Sequence, residues 1–225
     1  MKLPIPDRQA AGRALAEALG KYAGRDDVIV LALPRGGVPV AAEIAKALDA
    51  PLDVMLVRKL GAPWQPELAM GAIASGGIRV MNPEVVRGLG VSREAVEQVA
   101  REELEELERR ERAYRGDRPW PDLAGRCVIL VDDGLATGAT MQAAIEAVRA
   151  QEPACIVVAV PVAPPDTVRA LEPLVDEVIC LFQPEPFMAI GQWYRDFSQL
   201  TDAEVKALLA EARKTGKEQG ARDGI

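Results

Sequence analysis

The sequence predicts an α/β fold: a Rossmann-like parallel sheet, interrupted by an inserted flexible hairpin and a long charged helix. Three observations lead there. Four short β-branched runs, Val28–Leu33, Leu52–Val57, Cys127–Val131 and Ile156–Val160, are continuously apolar but for Asp53 in the second, and a fifth, Val178–Phe182, is weaker. Such runs suit strands covered on both faces, as in a parallel sheet. Helical patterns lie between them, and glycine-rich turns stand where two of the strands give way to helices.

Taken in order, Val38–Leu48 reads as a helix after the first strand, Thr140–Ala150 as a helix after the third, and Thr167–Leu174 as a helix before the fifth. Residues 58–122 break the alternation and read as an insertion. Within it, Leu68–Asn82 reads as a β-hairpin turning at Gly76-Gly77. Ser92 then caps a helix running to about Arg115, with Ala95 where a capping box would place Glu. Val96, Val99, Ala100, Leu104, Leu107 and Tyr114 form a narrow apolar stripe on that helix. The stripe fits a solvated helix docked on the domain, a contact with a second copy of the chain, or an arm over the active site. Residues 1–214 read as a single domain and the polar tail 215–225 as disordered.

Composition excludes several classes. The 225 residues are enough for a real core, and 49% hydrophobic with 27% charged is ordinary for a soluble protein. A net charge of −7 argues against coating nucleic acid, whose phosphates call for lysine and arginine. With no histidine, Ser-His-Asp, Cys-His and HExxH chemistry all lack their central residue. Cys127, Cys155 and Cys180 form an odd, widely spaced set and read as reduced core thiols, neither staples nor zinc ligands. The start MKLPIPDRQA has no apolar signal region, and the apolar stretch Ala154–Ala163 is broken by Pro161. A cytoplasmic protein with no membrane partner is expected.

The first turn is Leu33-Pro34-Arg35-Gly36-Gly37-Val38. Adjacent glycines let backbone approach a ligand closely. The helix start beyond them offers unpaired N–H groups, and Arg35 adds a fork suited to phosphate oxygens. An ordinary tight strand-to-helix turn would look the same. The second turn, VILVDDGLATGAT from Val128 to Thr140, is more specific: a strand ends in Asp132-Asp133, then a Gly/Thr turn opens a helix. Thr137, Thr140 and the N–H groups around Gly138 and Ala139 suit a phosphate. Two carboxylates beside that cradle suit a ligand that also carries a diol, since carboxylates accept from hydroxyls. Neither GxxxxGK[ST] nor GxGxxG is present. In a parallel sheet both turns fall at the carboxyl edge, where one ligand with phosphate at each end and a ribose between them could bridge the two.

The Val128–Thr140 run resembles the motif with which type I phosphoribosyltransferases bind phosphoribosyl pyrophosphate (PRPP), and LPRGGVPVA resembles their pyrophosphate loop. Val57-Arg58-Lys59-Leu60-Gly61-Ala62-Pro63, Pro66-Glu67, Gly71-Ala72-Ile73 and Trp193-Tyr194-Arg195-Asp196-Phe197 resemble a bacterial branch of that family. The resemblance implies that Asp132 and Asp133 hold the ribose hydroxyls, that Ala136, Thr137, Gly138, Ala139 and Thr140 form the 5′-phosphate loop, and that Gly134 between them also belongs to the substrate-binding residues. It implies that Arg35, Gly36 and Gly37 bind pyrophosphate, in a loop where the family often has a non-proline cis peptide. Arg58 and Lys59 match basic residues that follow the second strand in relatives, although a surface pair flanking a strand would also account for them. Arg35, Lys59 and Asp133 would then be the catalytic residues. Mg²⁺ would be the cofactor, bound mainly through ligand and water rather than a protein cage.

The implied reaction transfers the phosphoribosyl group of PRPP to a nitrogenous base, which the sequence leaves unnamed. A mobile cover is expected in the Pro63–Gly77 hairpin. Five of the nine aromatics (Phe182, Phe187, Trp193, Tyr194, Phe197) cluster late in the chain, as a hood over 182–200 or as a core plug. A non-catalytic PRPP or nucleotide sensor, or a phosphosugar hydrolase, is the alternative on the same motif. Relatives are commonly dimers, so a homodimer is an expectation.

Overall fold

Five all-apolar or half-apolar runs pair side by side in the computed structural model, which describes residues 1–220, with side chains through 212. In chain order the elements are α1 (Arg8–Ala18), β1 (Val28–Ala32), α2 (Gly37–Leu48), β2 (Leu52–Val54), β3 (Val57–Ala62), β4 (Gln65–Ala74), β5 (Ile78–Met81), α3 (Pro83–Gly88) and α4 (Arg93–Arg115). There follow β6 (Cys127–Val131), α5 (Ala139–Arg149), β7 (Cys155–Val162), α6 (Pro165–Leu171), β8 (Glu177–Phe182) and α7 (Asp202–Gly220). The main sheet is parallel throughout, in the order β2-β1-β6-β7-β8.

The valine-rich composition explains the layering. In β1, Val28, Val30 and Ala32 face one core with α1, α2 and α7, while Ile29 and Leu31 face another with α5 and α6. Cys127, Ile129 and Val131 of β6 repeat the alternation, with Val128 and Leu130 on the other side. Side chains alternate across a strand, so only a run without polar residues satisfies both cores.

The run Leu52–Val57 is two strands. β2 closes the edge of the main sheet, then the chain turns through buried Met55 and Leu56 into β3, which belongs to a separate antiparallel sheet, β3-β4-β5. Ser75 makes the break: its hydroxyl accepts from the Leu56 N–H at 2.9 Å and its own N–H donates to the Leu56 carbonyl. The turn between β4 and β5 passes through Ser75–Gly77, with Gly76 at φ 81° and Gly77 at φ 73°. Both values favour glycine.

Ser92 caps α4, its Oγ accepting from the Ala95 N–H, and Gly116 ends it at φ 64°. The stripe on α4 is spent inside the chain: Val96, Ala100, Leu107 and Tyr114 are buried. Arg115 at its end donates twice to Asp53 of β2, at 3.0 and 3.1 Å, and once to the Pro119 carbonyl. That buried bidentate pair locks the helix to the sheet edge.

Two expectations change. Cys127 and Cys155 lie opposite each other in the β6–β7 register and are joined in a disulfide, so they are not separate core thiols; Cys180 is free. Widely spaced cysteines meet here because the crossover brings β7 alongside β6. Secondly, α7 continues through Gly220 into the stretch expected to be disordered, where Lys, Glu and Gln favour helix; residues 221–225 lie outside the described residues. Among the described residues no helix is long and apolar enough to cross a membrane.

Candidate active site

The site grows from the carboxyl ends of β1 and β6, which are neighbours in register, Ala32 opposite Val131. Each strand ends in a turn that needs small residues, and the two turns interlock. A Cβ on Gly36 would lie 2.0 Å from the Asp133 Oδ2, and one on Gly37 would lie 2.6 Å from the Val131 carbonyl oxygen. Gly36 is therefore required by the Asp133 carboxylate opposite it, and Gly37 by the backbone at the end of β6. The Pro34–Arg35 peptide before them is cis and non-proline.

Asp132 and Asp133 follow β6. Asp132 is half-buried, and its Oδ1 accepts from the Asp133 N–H at 2.8 Å. Burial and the neighbouring Asp133 carboxylate push its pKa well above the ordinary carboxylate range. Asp133 is only 7% exposed. Burial pushes its pKa up too, opposed by the Arg8 guanidinium, whose Nε donates to Oδ2 at 2.8 Å. The Asp133 carbonyl accepts from the Tyr194 hydroxyl at 2.6 Å. Burial drives the pKa of that phenol sharply up, so it remains a donor.

Beyond the acids, Gly134 stands at φ 154° with no room for a side chain: a Cβ would lie 2.6 Å from Ile190 Cγ2. Ile190 belongs to the late aromatic segment, which thus lies directly on the turn. Gly138 caps α5 at φ 75°, and Thr137 Oγ1 accepts from the Ala139 N–H at 3.4 Å. Ala136, Thr137, Ala139 and Thr140 are exposed around this helix start. Thr167 of α6 buttresses the loop, donating to the Ala136 carbonyl at 2.7 Å, with its methyl beside Gly138.

The basic residues divide. Arg35 lines a cavity of about 230 Å³ with Arg109, Arg110 and Tyr114 of α4; its nearest acid is Asp202, at 3.9 Å. Arg58 and Lys59 lie on β3 and line a different, larger cavity of about 670 Å³ between the hairpin and α4. Arg58 pairs there with Glu103 at 2.6 Å, and Lys59 is within 3.4 Å of Glu67, whose side chain is almost fully exposed. The structure thus brings the Gly36-Gly37 turn against Asp132 and Asp133, carries the side chain of Arg35 to the α4 cavity, and places Arg58 and Lys59 at a different cavity from Arg35.

The late aromatics also divide. Tyr194 is buried and bonded to Asp133, and Phe197 stacks under Arg8 with the guanidinium carbon 4.1 Å from its ring centre. Phe187 and Trp193 pack together at 6.0 Å, half-buried. Sequence reasoning missed Arg8, Thr167 and the hydroxyl role of Tyr194. Asp7, which caps α1 through the Ala10 N–H, marked the helix that carries Arg8; nothing local marked its partner.

Residues 4–185 match the phosphoribosyl transferase domain family. Two relatives from Mycobacterium tuberculosis, strains CDC 1551 / Oshkosh and ATCC 25618 / H37Rv, are provisionally named phosphoribosyl transferases. Each is 50% identical over 223 residues, covering 99% of this chain and 50% of the relative. The chain therefore spans about half the length of the curated relatives it matches. The crystal structure of TT1426 from Thermus thermophilus is 45% identical and superposes with a TM-score of 0.82, covering 92% of this chain and 98% of that one.

Proposed function

This chain belongs to the phosphoribosyl transferase family, and from that premise we propose that it transfers the 5-phosphoribosyl group of PRPP to a nitrogenous base and releases pyrophosphate. The observation that carries the reading is the interlocking of the two turns, Gly36 against Asp133, which sets an anion-binding backbone beside a pair of acids.

In this reading the exposed start of α5, with Thr137, Thr140 and the N–H groups of Gly138 and Ala139, takes the 5′-phosphate, and Ala136 keeps that loop free of bulk. A helix N-terminus favours such an anion. Asp132 and Asp133, with Gly134 behind them, accept from the ribose hydroxyls. The Arg35-Gly36-Gly37 turn receives the pyrophosphate. As the bond from C1 to the pyrophosphate oxygen breaks, the base nitrogen forms its bond to C1 and later loses a proton to solvent. Positive charge builds on the sugar and is stabilised by Asp132 and Asp133, while Arg35 stabilises the departing anion.

Among the described residues no cluster of three or more carboxylate, cysteine or histidine groups could hold a metal, and Asp133 commits one oxygen to Arg8. That donor set fits Mg²⁺ carried in by substrate oxygens and water, not caged by protein. When bound it would supply charge neutralisation on the pyrophosphate.

The β3–β4 hairpin, with Trp64 61% exposed near its tip, is the proposed cover. Closure would bring Lys59 and Arg58 toward the leaving group, Lys59 leaving the carbonyl and carboxylate of Glu67 and Arg58 the half-buried Glu103, and would exclude water. The acceptor base enters beneath residues 182–200, where Ile190 rests on Gly134.

The test is pyrophosphate release from PRPP with Mg²⁺, measured with and without a panel of nitrogenous bases. Base-dependent release is expected. Release without any base would make the protein a hydrolase, and none despite PRPP binding would make it a sensor.

A further inference from the structure

Arg8 is the one cation that reaches Asp133 among the interactions of the described residues, from 125 positions away in sequence. It is 9% exposed, and two of its nitrogens and one face of its guanidinium are engaged. Nε donates to Asp133 Oδ2 at 2.8 Å, one terminal nitrogen donates to the Ser198 carbonyl at 2.9 Å, and the plane lies over Phe197. Phe197 in turn packs on Tyr194, 5.0 Å between ring centres, and Tyr194 donates to the Asp133 carbonyl. The two ends of the domain are joined at this place: the Ile5 N–H donates to the Trp193 carbonyl and the Arg195 N–H to the Ile5 carbonyl.

A link between chain ends does not require a buried ion pair. Apolar packing would serve as well, and burying a guanidinium is costly without a matched partner. We infer that Arg8 is a positioning residue for the acid pair: it orients the Asp133 carboxylate, engages Oδ2, and leaves Oδ1 to accept from the sugar. The inference rests on the ribose-binding role proposed above.

The charged and titratable groups facing Asp133 are Arg8 from α1, Asp132 beside it and Tyr194 from the late segment, and Asp7 faces Tyr194. The β1–α2 turn contributes backbone at Gly36. Two adjacent buried carboxylates resist ionising together, so a cation on one decides which keeps the charge. Arg8 makes that one Asp133, so Asp132 is the acid that takes up a proton first as pH falls.

The experiment follows the carboxyl carbons of the two acids by NMR across pH in the unliganded protein, in wild type and Arg8→Gln. In the wild type, Asp133 is expected to titrate below Asp132, with the Arg8 Nε–H resonance moving together with Asp133. In Arg8→Gln the Asp133 step moves up toward that of Asp132. Calorimetric titration with PRPP and Mg²⁺ adds a second arm: below the pair's titration in the variant the Kd of Arg8→Gln rises about tenfold, the effect of one unit in that titration, and it recovers toward wild type as pH rises through it. Arg8→Lys, which keeps the charge but not the fork, gives a smaller rise. An Arg8 resonance indifferent to the pair's titration overturns the inference, and needs only wild-type protein should the glutamine variant fail to fold. So does a folded Arg8→Gln with an unchanged Asp133 step. Loss of PRPP binding by the wild type would instead remove the proposed function, while the unliganded titration still decides the role of Arg8.

Discussion

Asp132→Asn is expected to stabilise the protein at neutral pH while weakening its affinity for PRPP with Mg²⁺ about ten- to a hundredfold. Loss of a charge-assisted hydrogen bond, worth about 1.5–3 kcal/mol, accounts for the second effect. The first follows from linkage. The folded-state pKa of Asp132 is raised above its unfolded value by burial and by Asp133. Between those two values the native state binds more protons than the unfolded one, so wild-type stability falls as pH rises through that window. Above it the wild type bears the full cost of a buried, repelled anion. Asparagine removes that cost and keeps an oxygen for the Asp133 N–H that Asp132 Oδ1 now accepts. The gain in Tm should be present at pH 8 and vanish as pH falls below the ordinary carboxylate range.

Asp133→Asn should behave oppositely in stability. It strands the Arg8 guanidinium, whose side chain is 10% exposed, without a countercharge. Leaving one member of a buried pair typically costs about 3–5 kcal/mol. Both variants lose PRPP, but only one loses stability. Thermal melts of the two at pH 8, beside calorimetric titrations, separate the roles. Equal destabilisation would mean that Asp132 is also held by a partner, and unchanged affinity in either would remove that acid from the ribose site.

The contrast shows what the sequence made legible. Strand-to-helix turns are local, so Gly36-Gly37 and the Asp132–Thr140 run announce themselves by residue type and order. β6 falls at Cys127–Val131 as expected because its burial on both faces leaves an unbroken apolar run. Long-range partners have no such signature. Arg8 carries no local mark of its partner, Tyr194 reads as one more aromatic, and Cys127 and Cys155 as unrelated thiols until the β6–β7 register sets them opposite. Leu52–Val57 misled for a related reason: apolarity marks burial but not which sheet a residue joins. Ser75, nineteen residues further on, decides that. The turn from β2 into β3 also sets where Arg58 and Lys59 lie, since β3 carries them to the face of α4.

Gly36→Ala is expected to abolish PRPP binding although it adds only one methyl group. The obstacle is the acid, not backbone torsion: Gly36 has φ −60° and ψ −36°, which alanine adopts freely. Its Cβ, however, would stand 2.0 Å from Asp133 Oδ2 and 2.4 Å from the carboxyl carbon. Asp133 cannot yield toward Arg8, which already donates to that same oxygen at 2.8 Å. The Asp133 backbone is pinned by Tyr194, and that ring by Phe197. Relief therefore requires the carboxylate to rotate off Arg8 or the two turns to part. Either course destroys the juxtaposition on which the site depends, and parting the turns also opens the Gly37 contact with Val131. Overpacking of this kind costs about 1–3 kcal/mol where neighbours can shift, and the broken ion pair adds to it. Gly36→Ala in an Asp133→Gly background is the discriminating control: the clash is gone, so the extra loss of stability should be gone with it. If Gly36→Ala alone bound PRPP like the wild type, the interlocked turns would not be the ligand site, however well their sequence fits one.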